Sequence, residues 1–529
     1  MINDLQTIAE SQIIVTTQVC IIGAGTAGIF LAQELSRLGI DSVILELGDK
    51  KVSLPSDIGE RCLQLGIPYK GEEKGRVFGL GGTSTLWGGQ MISLSPSDFK
   101  ERYNSLLPAW PISYSELSQY FADVKKRLDL DTVNDENRLT QKYFQNLSDF
   151  SDDFNLRISD WIPFKNRNFS QAFSDFLRNN GKVKIWLNSV VTKLEIGYDS
   201  DQKEIIFAEA KSSNGKTIKV SSKYFVVCAG ALESTRLILS LDESSQGMIT
   251  AKGSPVGRYF SDHLSITGGK IQCLNWRRYN AHLSPIFYRG LMRSPRLELS
   301  ESAQKKYDLS SAFIHFTFVT RGNTGFDMIR NFLRKRQGEQ ISSSFSSTSL
   351  NQIIGDTFSL FLWRSIYQRL WIPRQADLFL QIDIEQVPNW DSRLILSDQV
   401  DDYARKRLVI DWKISSNDIR TFKTLSDVAQ KSWNSSSLKN YATLDLDVNP
   451  NFDDPEASYD VYHPTGSLRM GTTPSESVVD SNLKLWNLKN CFISSTAVFP
   501  TAGSANPGFT HLALTMRLAQ HLNKLLTYD

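Results

Sequence analysis

An α/β fold in two parts is predicted by three observations. A short apolar run near the N-terminus enters a glycine-rich turn and then a helix; a second apolar run near residue 228 enters small residues and a helix; and a long middle stretch reads as strands without any such turn. The first stretch is Val19-Cys-Ile-Ile-Gly-Ala-Gly-Thr-Ala-Gly28, with Gly23, Gly25 and Gly28 in the G-x-G-x-x-G spacing and Thr26 and Ala27 between the last two glycines. Such a turn brings a pyrophosphate against a helix N-terminus, so the first part is expected to be a Rossmann-type dinucleotide-binding domain. The second is expected to be an α+β domain built on a mainly antiparallel sheet.

The helix after the turn carries Ile29, Phe30, Leu31, Leu35 and Leu38 on a broad apolar stripe, and Gly39 stands where a left-handed cap ends it. Ser42-Val-Ile-Leu-Glu-Leu47 reads as the next strand and delivers Glu46 about 20 residues after the glycines, where a carboxylate can accept the hydroxyls of an adenosine ribose. Next comes a loop with five glycines in eleven residues, Gly79, Gly81, Gly82, Gly88 and Gly89. No helix or strand interior tolerates that density, so the loop is expected to press against something flat or charged.

Further along, Tyr114–Leu128 and Phe169–Leu177 read as helices and residues 131–141 as a polar surface loop. Val183–Leu187, Ser189–Ile196, Glu204–Lys211 and Thr217–Val220 read as strands. Tyr224-Phe-Val-Val-Cys-Ala-Gly-Ala-Leu-Glu then repeats the opening theme, with Ala229 and Gly230 at its turn. Ala312–Val319, Asp377–Glu385 and Arg393–Leu396 are strand candidates of the second part. Between them, residues 326–373 mix Ile329, Phe332 and Trp363 with Arg330, Arg334, Lys335, Arg336, Arg364 and Arg374. That mixture reads as a covered amphipathic helix pair with a solvated basic face, and leaves a lid, a docking surface or peripheral membrane contact open. Finally, Ala505-Asn-Pro-Gly-Phe-Thr510 leads into a helix with Leu512, Met516, Ala519, Leu522 and Leu526 on one side.

Composition narrows the classes. At 529 residues the chain exceeds what one core usually serves. A net charge of +2 with 22% charged residues gives no case for nucleic acid. Five scattered cysteines lack ligand spacing, and no metal site is expected. The first residues have no basic segment and no long apolar core, and no apolar run approaches the ~20 residues that span a bilayer, so the cytoplasm is the expected location.

These motifs, with His463-Pro-Thr-Gly and Asn506-Pro507 near the end, come in the order found in the glucose–methanol–choline (GMC) family of FAD-dependent oxidoreductases, which the chain resembles over nearly its whole length. The wording Gly81-Gly-Thr-Ser-Thr-Leu-Trp87 and Ala505-Asn-Pro looks closest to the pyranose-oxidase-like branch. The resemblance implies an FAD enzyme that oxidises an alcohol, a sugar or glycoside hydroxyl above all, by hydride transfer to flavin N5. Dioxygen, a quinone or another acceptor would take the electrons.

It implies a catalytic pair, His463 and Asn506. It implies a cofactor set comprising the first turn and Glu46; Gly81, Gly82, Thr83, Ser84, Leu86, Trp87, Gly88 and Gly89 of the second loop; Val191 at the adenine; Ala229 and Gly230; and Ser495, Pro507 and Thr510. The implied division assigns residues 1–105, 161–265 and 457–529 to the FAD-binding domain and 106–160 and 266–456 to the substrate domain. Leu86 stands where some relatives link a histidine to the flavin, so FAD is expected to be non-covalent, and Ser495 stands where many carry aspartate. A flavin-binding module without turnover, and an FAD-dependent lyase or isomerase, are the alternatives. His263 reads as a structural hydrogen-bonding residue.

Overall fold

The computed structural model describes the chain except residues 104–105, 134, 200–201, 251–252, 321, 323, 339–349, 447–449, 453–458 and 529. The middle of segment 326–373 and the expected boundary at 456–457 therefore lie outside the described residues.

Buried parallel strands need apolar side chains on both faces, and the runs Val19–Ile22, Val43–Leu45, Phe225–Val227 and Cys491–Ile493 supply them. They form the heart of the first sheet. Gln12–Ile22 lies between Ser42–Leu45 and Thr217–Val227, parallel to both. Beyond Ser42–Leu45 come Val183–Leu187 and then Ile2–Asp4, also parallel. Thr217–Val227 divides its outer edge. Its first half pairs antiparallel with Gln202–Lys211, whose hairpin partner is Val190–Asp199, while Phe225–Val227 pairs in parallel with Cys491–Ile493. The helices Thr26–Arg37 and Gly508–Tyr528 pack against each other over this sheet. Leu512, Met516, Ala519 and Leu522 of the latter are buried, as their spacing predicts.

The second sheet is antiparallel throughout its described pairings. Its order is Ala442–Leu446, His263–Cys273, Asp377–Glu385, Ala312–Val319, Leu291–Leu299, Phe154–Trp161 and Gln90–Met91. Helix Ser416–Ser435 covers it with Phe422, Leu425, Val428 and Trp433. A smaller sheet joins Arg393–Val400 and Lys406–Trp412 to Leu63–Gly66. A Rossmann-type domain beside an antiparallel second sheet is thus the observed architecture.

Local expectations differ in six places. The expected helices Tyr114–Leu128 and Phe169–Leu177 are each broken in two, into Tyr114–Ser118 with Phe121–Arg127 and Phe169–Ala172 with Ser174–Asn179. Residues 131–141 are not all loop: Glu136–Tyr143 is a helix, anchored by buried Leu139 and Tyr143 four residues apart. Thr217–Val220 and the run from Tyr224 are one continuous strand. The second glycine loop contains a 3₁₀ turn, Gly82–Thr85. The helices of segment 326–373, Gly325–Gln337 and Leu350–Leu362, pack on each other but are not covered. Phe332, Ile354, Phe358 and Phe361 are each more than half exposed.

Candidate functional site

Register aligns the carboxyl ends of the central parallel strands. Ile22 pairs with Leu45 and Val227, and Val227 pairs with Ile493. The residues just beyond these ends, Gly23, Glu46, Cys228–Gly230 and Ser494, therefore share one edge, where open α/β sheets bind ligands, and they line a cavity of about 1340 Å³. The first turn is built tightly. Gly23 has φ +106°, and a Cβ on Gly28 would lie 1.9 Å from the Gly23 carbonyl oxygen, so only glycine lets the helix start this close to the strand. Helix Thr26–Arg37 has no side-chain cap at Gly25, which leaves its first N–H groups for a phosphate.

Glu46 is 5% exposed and holds this edge together. Its Oε2 accepts from Ala24 N at 2.6 Å, and its Oε1 accepts from Gly48 N and Gly79 N at 2.9 Å each. Burial pushes its pKa up against the pull of these three amides. The carboxylate thus bridges both glycine loops. The second loop also docks directly: Gly81 N donates to Ala24 O at 2.9 Å, and a Cβ on Gly82 would come within 2.8 Å of Gly25 Cα. What the second loop presses against is the backbone of the first.

Of the expected cofactor residues, Gly25, Thr26, Ala27, Gly82, Thr83, Leu86, Trp87, Gly88, Val191, Ala229, Gly230 and Pro507 line the cavity with Gly23 and Glu46. Gly28, Gly81, Ser84, Gly89, Ser495 and Thr510 lie behind this lining and support it. Ser84 Oγ accepts from Phe169 N at 3.0 Å, Gly89 O accepts from Ile162 N at 2.8 Å, Ser495 Oγ caps Ala497 N at 3.3 Å, and Thr510 Oγ1 accepts from Leu94 N at 3.2 Å.

His463 and Asn506 meet on the cavity wall, with His463 Nε2 3.5 Å from Asn506 Nδ2. The other imidazole nitrogen meets a second histidine: His463 Nδ1 lies 3.0 Å from His263 Nδ1, while His263 Nε2 lies 2.7 Å from the Gly503 carbonyl oxygen. That carbonyl only accepts, so His263 carries its proton on Nε2. Burial lowers the pKa of His263 and keeps the ring neutral, which makes its Nδ1 an acceptor. The Nδ1 proton between the rings therefore belongs to His463. Burial, reinforced by His263, lowers the pKa of His463 to about 3, so this ring is neutral too and its Nε2 presents a lone pair beside Asn506.

One carboxyl group ties together the backbones that carry both rings. Asp262 accepts from His263 N at 2.6 Å, from His463 N at 2.9 and 3.0 Å, and from the buried Tyr69 hydroxyl at 2.8 Å. Burial, then the neighbouring Asp460, push its pKa up to about 8. Asp262, His263 and His463 are also the metal-ligand types that cluster most closely among the described residues, with ligand atoms within 4.8 Å. Their hydrogen bonds to one another already use the carboxylate and both Nδ1 atoms. Sequence reading missed the part played by His263, Asp262 and Tyr69; the adjacent Asp262-His263 was visible, but nothing in the text tied it to His463, 200 positions away.

The cavity fits a polar dinucleotide on an independent ground. Thr26 Oγ1, Asn506 Oδ1 and His511 Nε2 are buried without a hydrogen-bond partner, and all three residues line it. His511 stands in the first turn of the final helix, and burial lowers its pKa to about 4.

Comparison with known proteins agrees with this geometry. Residues 388–515 match the GMC oxidoreductase family model, and residues 16–59 match an FAD binding domain model. Pyridoxine 4-oxidase from Mesorbium loti shares 16% identity, covering 96% of this chain and 99% of its own, with a TM-score of 0.56. The formate oxidase of Aspergillus oryzae RIB40 shares 14%, covering 97% and 99%, with a TM-score of 0.57. Among curated proteins, Dehydrogenase str4 of Strobilurus tenacellus is 42% identical over 57 residues, 11% of this chain and 9% of that protein's length. The chain thus carries a GMC oxidoreductase region and an FAD-binding domain on the fold of FAD-dependent GMC oxidoreductases, and its cofactor is FAD.

Proposed function

We propose that the protein oxidises a primary or secondary alcohol to an aldehyde or ketone, with His463 as the proton acceptor and Asn506 as the donor to the substrate oxygen. The observation that carries this reading is His463 Nε2 facing Asn506 Nδ2 at 3.5 Å on the wall of the cavity, with His463 Nδ1 taken up by His263. An alcohol oxygen between them would give its proton to His463 and accept from the amide. Bound FAD supplies the hydride acceptor. A hydroxyl proton must leave before or with hydride, because otherwise the product carbonyl is born protonated. The Asn506 amide then stabilises charge that develops on the oxygen.

His463 is neutral across the working pH range, so it never has to lose a proton before it can act. The same burial makes it a weak base in the resting protein; proton uptake therefore has to be coupled to the departure of negative charge from the substrate. We take the substrate to be a sugar or glycoside hydroxyl, as in the pyranose-oxidase-like branch, on the wording of residues 81–87 and 505–507. The relatives of like fold are named for pyridoxine and formate, so the fold itself does not choose the alcohol. The domain division at residues 105, 160, 265 and 456 belongs to the same proposal.

The test is an anaerobic screen of sugars, glycosides, sterols and simple alcohols against the FAD-loaded protein, read at the oxidised-flavin absorbance. A sugar that bleaches the flavin supports the reading. Bleaching by other alcohols alone keeps the chemistry and removes the sugar. Failure across the whole panel leaves a flavin-binding module, and product formed without any acceptor or bleaching would make the protein a lyase or isomerase.

A further inference from the structure

Helices Gly325–Gln337 and Leu350–Leu362 pack on each other, and their two faces differ in what they meet. Inward, Phe326, Trp363 and Trp371 make a small core of their own, with Trp276 and Leu360 packed against it. Outward, Ile354, Phe358 and Phe361 are 65%, 63% and 68% exposed. Their spacing of four and three residues places them on one stripe of the helix. On the other helix Ile329 and Phe332 are also exposed, three residues apart. An apolar surface of this kind, on a platform that is already packed underneath, marks a contact site rather than an unfinished core.

Among the described residues, the exposed charges on and next to these helices are of one sign. Lys335, Arg336 and Arg364 are exposed, and Arg336 lies over the Phe332 ring with its guanidinium carbon 5.4 Å from the centroid. Asp356, the acid of helix Leu350–Leu362, is turned inward to accept from Gly325 N at 2.8 Å. We infer that this helix pair docks the protein on an anionic lipid surface, with the apolar stripe in the interface and the basic side chains at the headgroups. A second copy is the poorer occupant, because a two-fold contact sets the same patch against itself and would bring like charges together. Neither helix can span: each has 13 residues, and no described helix is long and apolar enough to cross a membrane. The site lies on the surface of the bilayer.

Docking here would act close to the cofactor cleft. Gln337, the last residue of its helix, donates from Nε2 to Trp87 O at 2.9 Å, and Arg334 lines the cavity. The proposal does not depend on which alcohol is oxidised.

The FAD-loaded full chain should co-sediment with phosphatidylcholine vesicles containing phosphatidylglycerol, and far less with phosphatidylcholine alone or at high salt. Replacing both Phe358→Ser and Phe361→Ser should weaken partition by roughly tenfold or more, from the apolar area withdrawn. Both positions are exposed, and an unchanged thermal melt and flavin spectrum would show that the fold is kept. Lys335→Gln with Arg336→Gln should weaken the anionic-vesicle binding alone. Absence of co-sedimentation with anionic vesicles overturns the proposal, as does binding that ignores the Phe358 and Phe361 changes. A dimer in sedimentation velocity that those changes dissolve would assign the face to a second copy and overturn it too.

Discussion

His263 and His463 meet Nδ1 to Nδ1 at 3.0 Å, and the Gly503 carbonyl at the far side of His263 decides which ring carries the proton between them. The result is a lone pair at His463 Nε2, the proposed proton acceptor, set by a residue that does not itself reach the cavity wall.

His463→Ala should keep FAD bound and lower the anaerobic flavin-reduction rate by roughly 10²–10⁴-fold, the range for a general base. Asn506→Ala should cost about 10²–10³-fold, the range for one lost donor to a developing oxyanion. Stopped-flow reduction with the alcohol found in the screen checks both. Wild-type reduction by the His463 variant would send the search for the base elsewhere.

His263→Leu removes the acceptor that holds the His463 proton on Nδ1. The imidazole would then divide between tautomers, and reduction should slow by roughly tenfold, less than on loss of His463 itself. Nitrogen NMR of labelled imidazole separates this from simple structural damage: wild-type His463 should show the Nδ1–H tautomer and the variant a mixture. A single unchanged tautomer in the variant would refute the role of His263.

The depressed His463 pKa makes a prediction about stability. An unfolded histidine takes up its proton near 6.5, whereas the folded one resists until about 3. Between these values the unfolded state binds more protons, so stability falls as pH drops from about 6.5 toward 3 and is unaffected by this group above that window. His463→Gln should therefore flatten the acid side of a plot of melting temperature against pH. Parallel acid limbs in the two proteins would show that His463 is not held neutral.

Leu86 lines the cofactor cavity and has no nucleophilic atom. Acid or denaturant should release all the flavin, and fluorescence that stays with the denatured chain would reveal a covalent link through some other side chain.

The parts of the fold legible in the sequence were those with a local signature. Gly23, Gly25 and Gly28 announce their turn because backbone sterics there exclude other residues, and the apolar stripe from Leu512 to Leu522 announces its helix. Ser495 and Thr510 illustrate what was not legible. Their neighbours Ser494, Thr496 and His511 reach the cavity instead, because which member of a polar run faces the ligand depends on the packing of the strand end and the helix start rather than on residue type. The exposed stripe at Ile354, Phe358 and Phe361 was hidden for a related reason. Both faces of that helix are apolar, so periodicity alone does not tell the packed side from the bare one.

The forked edge of strand Thr217–Val227 has a consequence for biosynthesis. Phe225–Val227 waits for Cys491–Ile493, a partner that leaves the ribosome some 266 residues later. Until then the growing sheet has an open, apolar edge next to the glycine turn, a template for wrong pairing. The same late segment brings Ser494, Asn506 and His511 to the cavity. A nascent chain would thus hold its first glycine turn long before it could enclose the cofactor, and translation stalled before Cys491 would release a protein prone to aggregate and unable to retain its flavin.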